Sequence, residues 1–489
     1  MTSPVTRVPS FAFMNSKTPV HLATTPTALL AALVMHTATL HGGTPDYTRT
    51  SGGNWSDASL WTPREGLPAN TVPGADNTAG MTISASTSLT LDATGTTTIK
   101  DFHADATTGG LTLTFASPGS GTTGHRSLDI TGTLSKANDT TKIAFENSAS
   151  SSRLLNVAIG KLDLATNGGS AAFGRSDGTR ALNNLSIGET VLGGGGGSNS
   201  IQIYLNVSND YSLGKLTFNP GNNEKSVYLI TNSATASGYA RTATVAGITD
   251  ASNNATLYGS RNASASSNSA TLRIHTAGTT DTFTAATALV DGTGGTLAVR
   301  KTGAGTQILT GQSTWTGGTF VEEGALVIRG AGTLAATGEL AVATDATFVT
   351  ATDAALTLHG ATLATGAILG FDLTSADARL NLTGNLLHDL AGSAGGAATF
   401  VIDFRGTGIL DHAYGGLLSV AGTTNDFADA TLSYINFGAG NLAGTLTFAE
   451  LTNGFTLSSG NIPEPATAAL LGSLAILVLA SLVRRRHAG

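Results

Sequence analysis

The sequence predicts an all-β fold in which short strands stack on one another to form a solenoid. Charged residues make up only 12% of the 489 residues, about half the share that is usual in soluble proteins. Glycine accounts for 62 residues, as expected for a chain with many tight corners. Between Gly43 and Gly454 no helical period is sustained. These observations favour short strands joined by turns over any helical or mixed fold.

Short apolar runs with alternating polarity supply the candidate strands. They lie at residues 111–115, 143–145, 162–164, 216–218, 340–342, 356–358 and 446–448. Isolated strands of this length are not stable. Stacking one rung above the next lets each strand bury its apolar face against its neighbours.

Charge and cysteine content exclude several functions. The net charge is -7, from 25 basic and 32 acidic residues, and no basic stripe precedes the last residues of the chain. We therefore expect no nucleic-acid partner, because such proteins need a basic surface. The absence of cysteine excludes disulfides, Cys-ligated zinc and thiol catalysis.

The first 42 residues are predicted to be a leader for export. Arg7 and Lys17 precede an apolar run at residues 28–35, which is too short to span a bilayer and is typical of a secretion signal. Met1 and Met14 both remain candidate starts. The alternative is a leader with no targeting role.

The C-terminal end predicts a single transmembrane α-helix. An uncharged segment at residues 466–483 reaches the lower limit of length for a membrane span. A sorting motif precedes this segment and consists of Pro463, Glu464 and Pro465. A cytoplasmic basic anchor follows it and consists of Arg484, Arg485 and Arg486.

This arrangement of motif, apolar segment and basic cluster resembles the PEP-CTERM sorting domain of Gram-negative bacteria. The resemblance covers residues 461–489 only. It implies recognition by an exosortase-type membrane peptidase, an inner-membrane anchored intermediate, and transfer to the outer surface or an extracellular matrix. It implies nothing about the activity of the preceding residues, and an ordinary single-pass anchor is the alternative.

One segment of the body, residues 294–334, resembles the autotransporter-associated β-strand repeat. Its pattern is Lys-x-Gly-x-Gly, Leu-Thr-Gly, an aromatic residue before x-Gly-Gly-Thr, and Gly-x-Leu. The matching residues are Lys301, Gly303, Gly305, Leu309, Gly311, Trp315, Gly317, Gly318, Thr319, Gly324 and Leu326. The resemblance implies a right-handed parallel β-helix.

Two tryptophans near the start have two interpretations. Trp55 and Trp61 resemble the openings of similar surface proteins, where they cap the first rung. Exposed aromatic faces also stack on sugars, so carbohydrate binding by both residues stays open. Terminal repeats of a solenoid must differ from the others, which favours the cap.

Four domains are predicted. A leader occupies residues 1–42, a β-solenoid residues 43–370, a terminal β region residues 371–460 and the sorting tail residues 461–489. The terminal region is either a small β-sandwich or the last irregular rungs.

Candidate catalytic and metal-binding residues are few. Residues 174–178 match Gly-x-Ser-x-Gly, but no helical pattern follows them, as that motif requires. Asp101, His103 and Asp105 are expected on one face of a strand. A polar face in contact with solvent accounts for this cluster better than a metal site does. Glu322 and Glu323 alternate in direction, so they cannot readily cooperate, and Asp403 with Arg405 is a further pair. We assign no catalytic, cofactor or metal site.

The expected function is therefore that of an exported structural or adhesive surface protein, not an enzyme. Its expected partners are the peptidase, the membrane before processing, and an exopolysaccharide. One alternative is a carbohydrate-binding surface protein that uses Trp55 and Trp61. The other is a β-helix polysaccharide lyase or glycosidase, which would need acidic residues that converge on one face.

Overall fold

The computed structural model describes most of the chain between residues 44 and 457. The described ranges are 44–93, 95–108, 110–118, 125–137, 142–147, 155–164, 169–174, 181–193, 200–231, 239–252, 254–261, 268–374, 378–389, 398–406, 412–424, 427–435 and 443–457. The predicted leader, the sorting motif, the 466–483 segment and the arginine cluster lie outside them. So does most of the Gly-x-Ser-x-Gly match.

Within these ranges nearly all regular structure is β-strand. The first strands are β1 Tyr47–Arg49, β2 Gly53–Asn54, β3 Thr62–Pro63, β4 Thr78–Ile83, β5 Thr87–Thr90, β6 Gly95–Ile99, β7 Asp101–Ala106, β8 Thr112–Ala116, β9 Arg126–Lys136, β10 Lys142–Glu146, β11 Leu155–Leu164, β12 Gly169–Phe173, β13 Asn184–Leu192, β14 Ile201–Leu205, β15 Tyr211–Phe218, β16 Lys225–Tyr228, β17 Ala240–Asp250, β18 Ala255–Arg261, β19 Asn268–His275, β20 Thr282–Ala285 and β21 Ala288–Thr293. A short 3₁₀ turn occupies Ala58–Leu60.

The chain continues in the same way to its last described residue. The remaining elements are β22 Gly295–Thr302, β23 Thr306–Leu309, β24 Thr319–Val321, β25 Ala325–Gly330, β26 Glu339–Val342, β27 Thr347–Thr352, β28 Leu356–Leu358, β29 Gly360–Ala364, β30 Ile368–Asp372, β31 Leu380–Leu382, β32 Leu386–Asp389, β33 Val401–Arg405, β34 His412–Gly415, β35 Leu418–Val420, β36 Thr431–Ile435, β37 Ala443–Thr447, α1 Phe448–Asn453 and β38 Gly454–Leu457.

Parallel pairing between rungs builds a β-solenoid of about 12 turns. One ladder of nine strands runs from β2 through β5, β8 and the even-numbered strands β10–β18 to β21. A second, longer ladder contains β9, β11, β13, β15 and β17 in succession. The prediction of an all-β solenoid is confirmed.

The longer ladder changes its construction near residue 268. From β9 to β17, each rung supplies one strand of eight to eleven residues. Beyond it, each rung supplies two strands of three to eight residues. β19, β22, β24 and β26 form one column, and β20, β23, β25 and β27 form the next. The predicted repeat lies in this second part.

Glycines interrupt the long strands at one column. They are Gly132 in β9, Gly160 in β11, Gly188 in β13 and Gly214 in β15. A Cβ atom on Gly160 would overlap the carbonyl oxygen of Thr131, and one on Gly214 would overlap that of Gly188. Neighbouring rungs therefore approach one another at this column more closely than any side chain permits.

Apolar side chains fill the interior from the first rung to the last. A single hydrophobic cluster extends from Tyr47 to Leu457. Phe115, Phe145 and Phe173 stack on three successive rungs with ring centroids 5.0 Å apart. Residues that pair in register thus also pack in register, which is how short strands become stable together.

Parallel pairing continues beyond residue 370. β30 pairs with β33, and β33 pairs with β36. The pairing then changes direction, because β37 is antiparallel to β36 and β38 is antiparallel to β34. Helix α1 begins with a capping box between Thr447 and Glu450. Residues 371–460 had two interpretations, a small β-sandwich or the last irregular rungs. The pairing favours the second, with antiparallel strands at the end of the solenoid.

None of the helices within the described ranges is both apolar and long enough to serve as a membrane span.

Candidate functional site

The predicted repeat forms a folded unit of two stacked layers. β22 ends at a corner, Gly303 to Gly305, and β23 follows at once. After a loop, β24 pairs with β22 and β25 pairs with β23. The motif residues therefore span two rungs: the first corner and the loop that follows belong to one rung, and Thr319, Gly324 and Leu326 to the next.

The lysine of the motif is buried at this corner. Lys301 is 0% exposed. Its Nζ atom donates hydrogen bonds to the carbonyl oxygens of Gly303 at 2.6 Å, Thr302 at 2.8 Å and Glu323 at 3.2 Å. Burial lowers the pKa of Lys301 to about 8, although the charge of Glu323 acts in the opposite direction. The ammonium group thus ties the corner of one rung to the next.

Glu323 and the two corner glycines complete the clamp. The Glu323 carboxylate accepts a hydrogen bond from the Gly303 amide at 3.0 Å. Gly303 has a φ of 73°, a conformation that favours glycine over other residues. A side chain at Gly305 would overlap the carbonyl oxygen of Gly278. The Lys-x-Gly-x-Gly pattern is therefore explained by the turn that it makes.

Gln307 joins strands that belong to different rungs. Its side-chain amide is 0% exposed. It donates to the Ile248 carbonyl at 3.0 Å and accepts from the Ile248 amide at 2.9 Å. The side-chain amide of Gln307 thus bonds to Ile248 in the way that a neighbouring backbone does in a sheet. It does so near the end of β17, the last strand before each rung divides into two strands. The sequence comparison with the repeat did not single out this residue.

Replacing Gln307 by leucine is expected to lower the free energy of unfolding by about 2 kcal/mol, because the buried backbone groups of Ile248 lose their partners. The shift in the urea denaturation midpoint measures it. Gln312→Leu is the matched control, since Gln312 is exposed in the same repeat, and its midpoint should change little. Equal midpoints for the two variants would contradict the bridging role.

The tryptophan of the motif packs inside the loop. Trp315 is 2% exposed, and its Nε1 atom donates to the Thr319 hydroxyl at 3.0 Å. Side chains at Gly317 would overlap the backbone of Leu297. The aromatic-x-Gly-Gly-Thr pattern therefore fixes the loop against the previous rung.

Trp55 and Trp61 are also inside the fold. Both are 2% exposed, their ring centroids are 5.0 Å apart, and Trp61 donates its indole hydrogen to the Trp55 carbonyl. The Arg49 guanidinium lies 4.9 Å from the Trp61 ring. With the faces covered by protein, the arrangement favours the capping interpretation over sugar stacking.

The acidic and histidine candidates are not brought together into one site. The Asp101 carboxylate accepts from the Thr133 amide, and His103 Nδ1 lies 2.9 Å from the Ser135 hydroxyl. Burial lowers the pKa of His103, against the opposing charge of Asp105. Within the described ranges, His, Cys, Asp and Glu side chains form no group of three that could hold a metal ion.

The remaining acidic pairs are separate ion pairs or hydrogen bonds. Glu322 pairs with Arg300, whereas Glu323 bonds to the corner as described above. Asp403 is 0% exposed and pairs with the Arg405 Nε atom. Each of these carboxylates already has a cationic or amide partner, on the neighbouring rung for Glu322 and Glu323 and on the same strand for Asp403.

Two further features could not be assigned from the sequence. Tyr204, Tyr228 and Tyr258 stack on successive rungs with centroids 5.3 and 4.8 Å apart, and the Arg261 guanidinium lies 4.6 Å from the Tyr204 ring. The recurring pair of an apolar residue followed by Tyr in these strands is the signal that could have found this column. Lys225, like Lys136 and Lys301, is a fully buried lysine, and no sequence motif marks it.

Comparison with known proteins gives one match. Residues 299–328 match the family model of the passenger-associated transport repeat, which confirms the autotransporter-type repeat predicted at residues 294–334. No curated protein and no solved structure is significantly similar to the chain. The passenger-type repeat and the β-solenoid together fit an exported surface or adhesive protein of the passenger type.

Proposed function

We propose that the chain is an exported structural or adhesive surface protein, sorted through its C-terminal Pro-Glu-Pro segment. The observation that carries this proposal is the passenger-type repeat, folded as consecutive rungs of a parallel solenoid. Stacked rungs give an extended surface from short strands. We include in the proposal the right-handed winding that the repeat implies, and an exopolysaccharide of the matrix as a partner.

A structural role agrees with how the motif residues are used. Lys301, Gln307 and Trp315 are buried, and their polar atoms bond to the backbone or to a neighbouring hydroxyl. Side chains engaged in this way do not reach a substrate. We therefore propose that the chain has no catalytic activity of its own.

The sorting step rests on the order of features in the tail. Pro463 and Pro465 disfavour a helix, which keeps the motif extended and accessible to a protease. The uncharged segment at residues 466–483 then enters the inner membrane as a helix, and the arginine cluster stays in the cytoplasm. Cleavage by an exosortase-type peptidase at the motif would release the solenoid to the outer surface or matrix.

Fractionation of cells that express a Glu464→Ala variant tests the sorting step. Most of the variant is expected to remain in the inner-membrane fraction, whereas the unchanged chain reaches the outer surface or the medium. Glu65→Ala is the matched control, because Glu65 is an exposed glutamate in a loop far from the tail in sequence, and its location should not change. An unaltered location of Glu464→Ala would contradict sorting through this motif.

A further inference from the structure

The buried lysine Lys225 has surroundings that differ from those of Lys301. It lies at the start of β16 and is 0% exposed. Its Nζ atom donates to the Asn223 carbonyl at 2.8 Å and to the Gly221 carbonyl at 3.4 Å. Its third partner is a side chain on the next rung, the Asn254 amide oxygen, at 2.9 Å.

The backbone holds Lys225 and Asn254 against each other. The Lys225 amide donates to the Asn254 carbonyl, and Lys225 is in register with Ala255, the residue after Asn254. The Asn254 Nδ2 atom donates to the Gly221 carbonyl at 3.0 Å, which fixes the orientation of the side-chain amide. Gly193 packs directly on the lysine chain, where a side chain would overlap the Lys225 Cε atom. The buried amine and the half-buried amide are therefore held against each other.

We propose that Lys225 and Asn254 become joined by an intramolecular isopeptide bond. The lysine loses a proton, and its Nζ lone pair attacks the Asn254 Cγ atom. A new C–N bond forms, the bond between Cγ and Nδ2 breaks, and Nδ2 takes up protons and leaves as ammonium. The ammonium of Lys225 and the primary amide of Asn254 thus give a secondary amide and one ammonium ion. Charge and hydrogen balance, and no oxidant or cofactor is consumed.

The charge environment supports the reaction. Burial lowers the pKa of Lys225, which favours the neutral amine that attacks, whereas the charge of Asp250 opposes this shift. Asp250 is 5% exposed and is held by hydrogen bonds from Ser252 and from the Thr287 hydroxyl. We assign the transfer of the lysine proton to the departing nitrogen to solvent water, which reaches the half-buried Asn254 side chain.

A bond at this place would suit a surface protein that has no cysteine. It would join two adjacent rungs covalently, between β16 and the residue before β18, in the part of the solenoid that precedes the passenger-type repeat. Lys301 provides the contrast within the same chain, because its three acceptors are all backbone carbonyls. None of those three acceptors is a side-chain amide, so we expect Lys301 to stay unmodified. The proposal does not depend on how the chain is sorted.

Peptide mass spectrometry of the full-length folded protein tests the proposal. Trypsin does not cleave after an acylated lysine. The expected product is therefore residues 216–241, uncleaved at Lys225, joined to residues 242–261 and lighter by one ammonia, about 17 Da. Fragmentation should locate the link between Lys225 and Asn254. Cleavage after Lys301 should proceed normally and serves as the internal control.

Two variants separate the link from other losses of ammonia. Asn254→Ala and Lys225→Met should each abolish the joined peptide, and the digest should then contain residues 242–261 as a separate peptide. Wild-type protein that yields unlinked peptides of full sequence mass would overturn the proposal. Ammonia loss confined to the single peptide 242–261 would also overturn it, because that result indicates a succinimide at Asn254 and not a bond to lysine.

Discussion

Replacing Gly214 by alanine is expected to be the most damaging small change in the solenoid, with the free energy of unfolding lowered by about 3 kcal/mol. Gly214 has a φ of 58°, which is strained for alanine. The added Cβ atom would also overlap the carbonyl oxygen of Gly188 on the previous rung. That carbonyl belongs to backbone held in the parallel ladder of β13 and β15, so it cannot move without loss of pairing. The shift in the urea midpoint, followed by far-ultraviolet circular dichroism, measures the effect.

Gly66→Ala is the matched control for the backbone strain alone. Gly66 has a φ of 89°, but a Cβ atom there would meet no atom within 4 Å. Its cost should be about 1 kcal/mol, the penalty for the unfavourable φ. If the two variants shift the midpoint equally, close contact between rungs at the glycine column is not what stabilises this part of the fold.

The strands could be predicted from the sequence because each carries its own apolar alternation. The run at residues 111–115 overlaps β8, and the run at residues 143–145 lies within β10. The pairing register was not predictable in the same way. Phe115 and Phe145 stack because the segment between them, which contains β9, has the length that brings them into register. Nothing in either run specifies that length.

In the candidate site, too, residues that belong to a local pattern could be predicted, and residues whose partners are distant in sequence could not. Lys301 and its glycines were found because their spacing forms a pattern that short-range geometry demands. Gln307 was missed because its partner, Ile248, lies two rungs earlier, and a lone glutamine in a strand has no local signature. Lys225 was missed because only three-dimensional packing removes its amine from water. Contacts between distant rungs are therefore the part that sequence patterns do not record.

The second large effect is expected at the Lys301 clamp. Lys301→Met keeps much of the apolar chain but removes the donor from the carbonyls of Thr302, Gly303 and Glu323. The Thr302 carbonyl still accepts a hydrogen bond from the Thr276 amide. The loss of a donor therefore mainly affects the carbonyls of Gly303 and Glu323. We expect the free energy of unfolding at neutral pH to fall by about 2–4 kcal/mol. Lys100→Met, at an exposed lysine, is the control and should change the urea midpoint little.

The pH dependence of this difference distinguishes a buried ammonium from an ordinary packing residue. The pKa of Lys301 is lowered to about 8 in the folded chain, whereas it lies near 10.4 when the chain is unfolded. Between these values the unfolded chain binds more protons, so the stability of the unchanged protein rises with pH. The Met variant lacks this contribution, and the gap between the two should widen by about 2 kcal/mol from pH 7 to pH 9.5. A gap that stays constant or narrows over this range would show that the amine is not held in a desolvated site, and the clamp would then act through its shape alone.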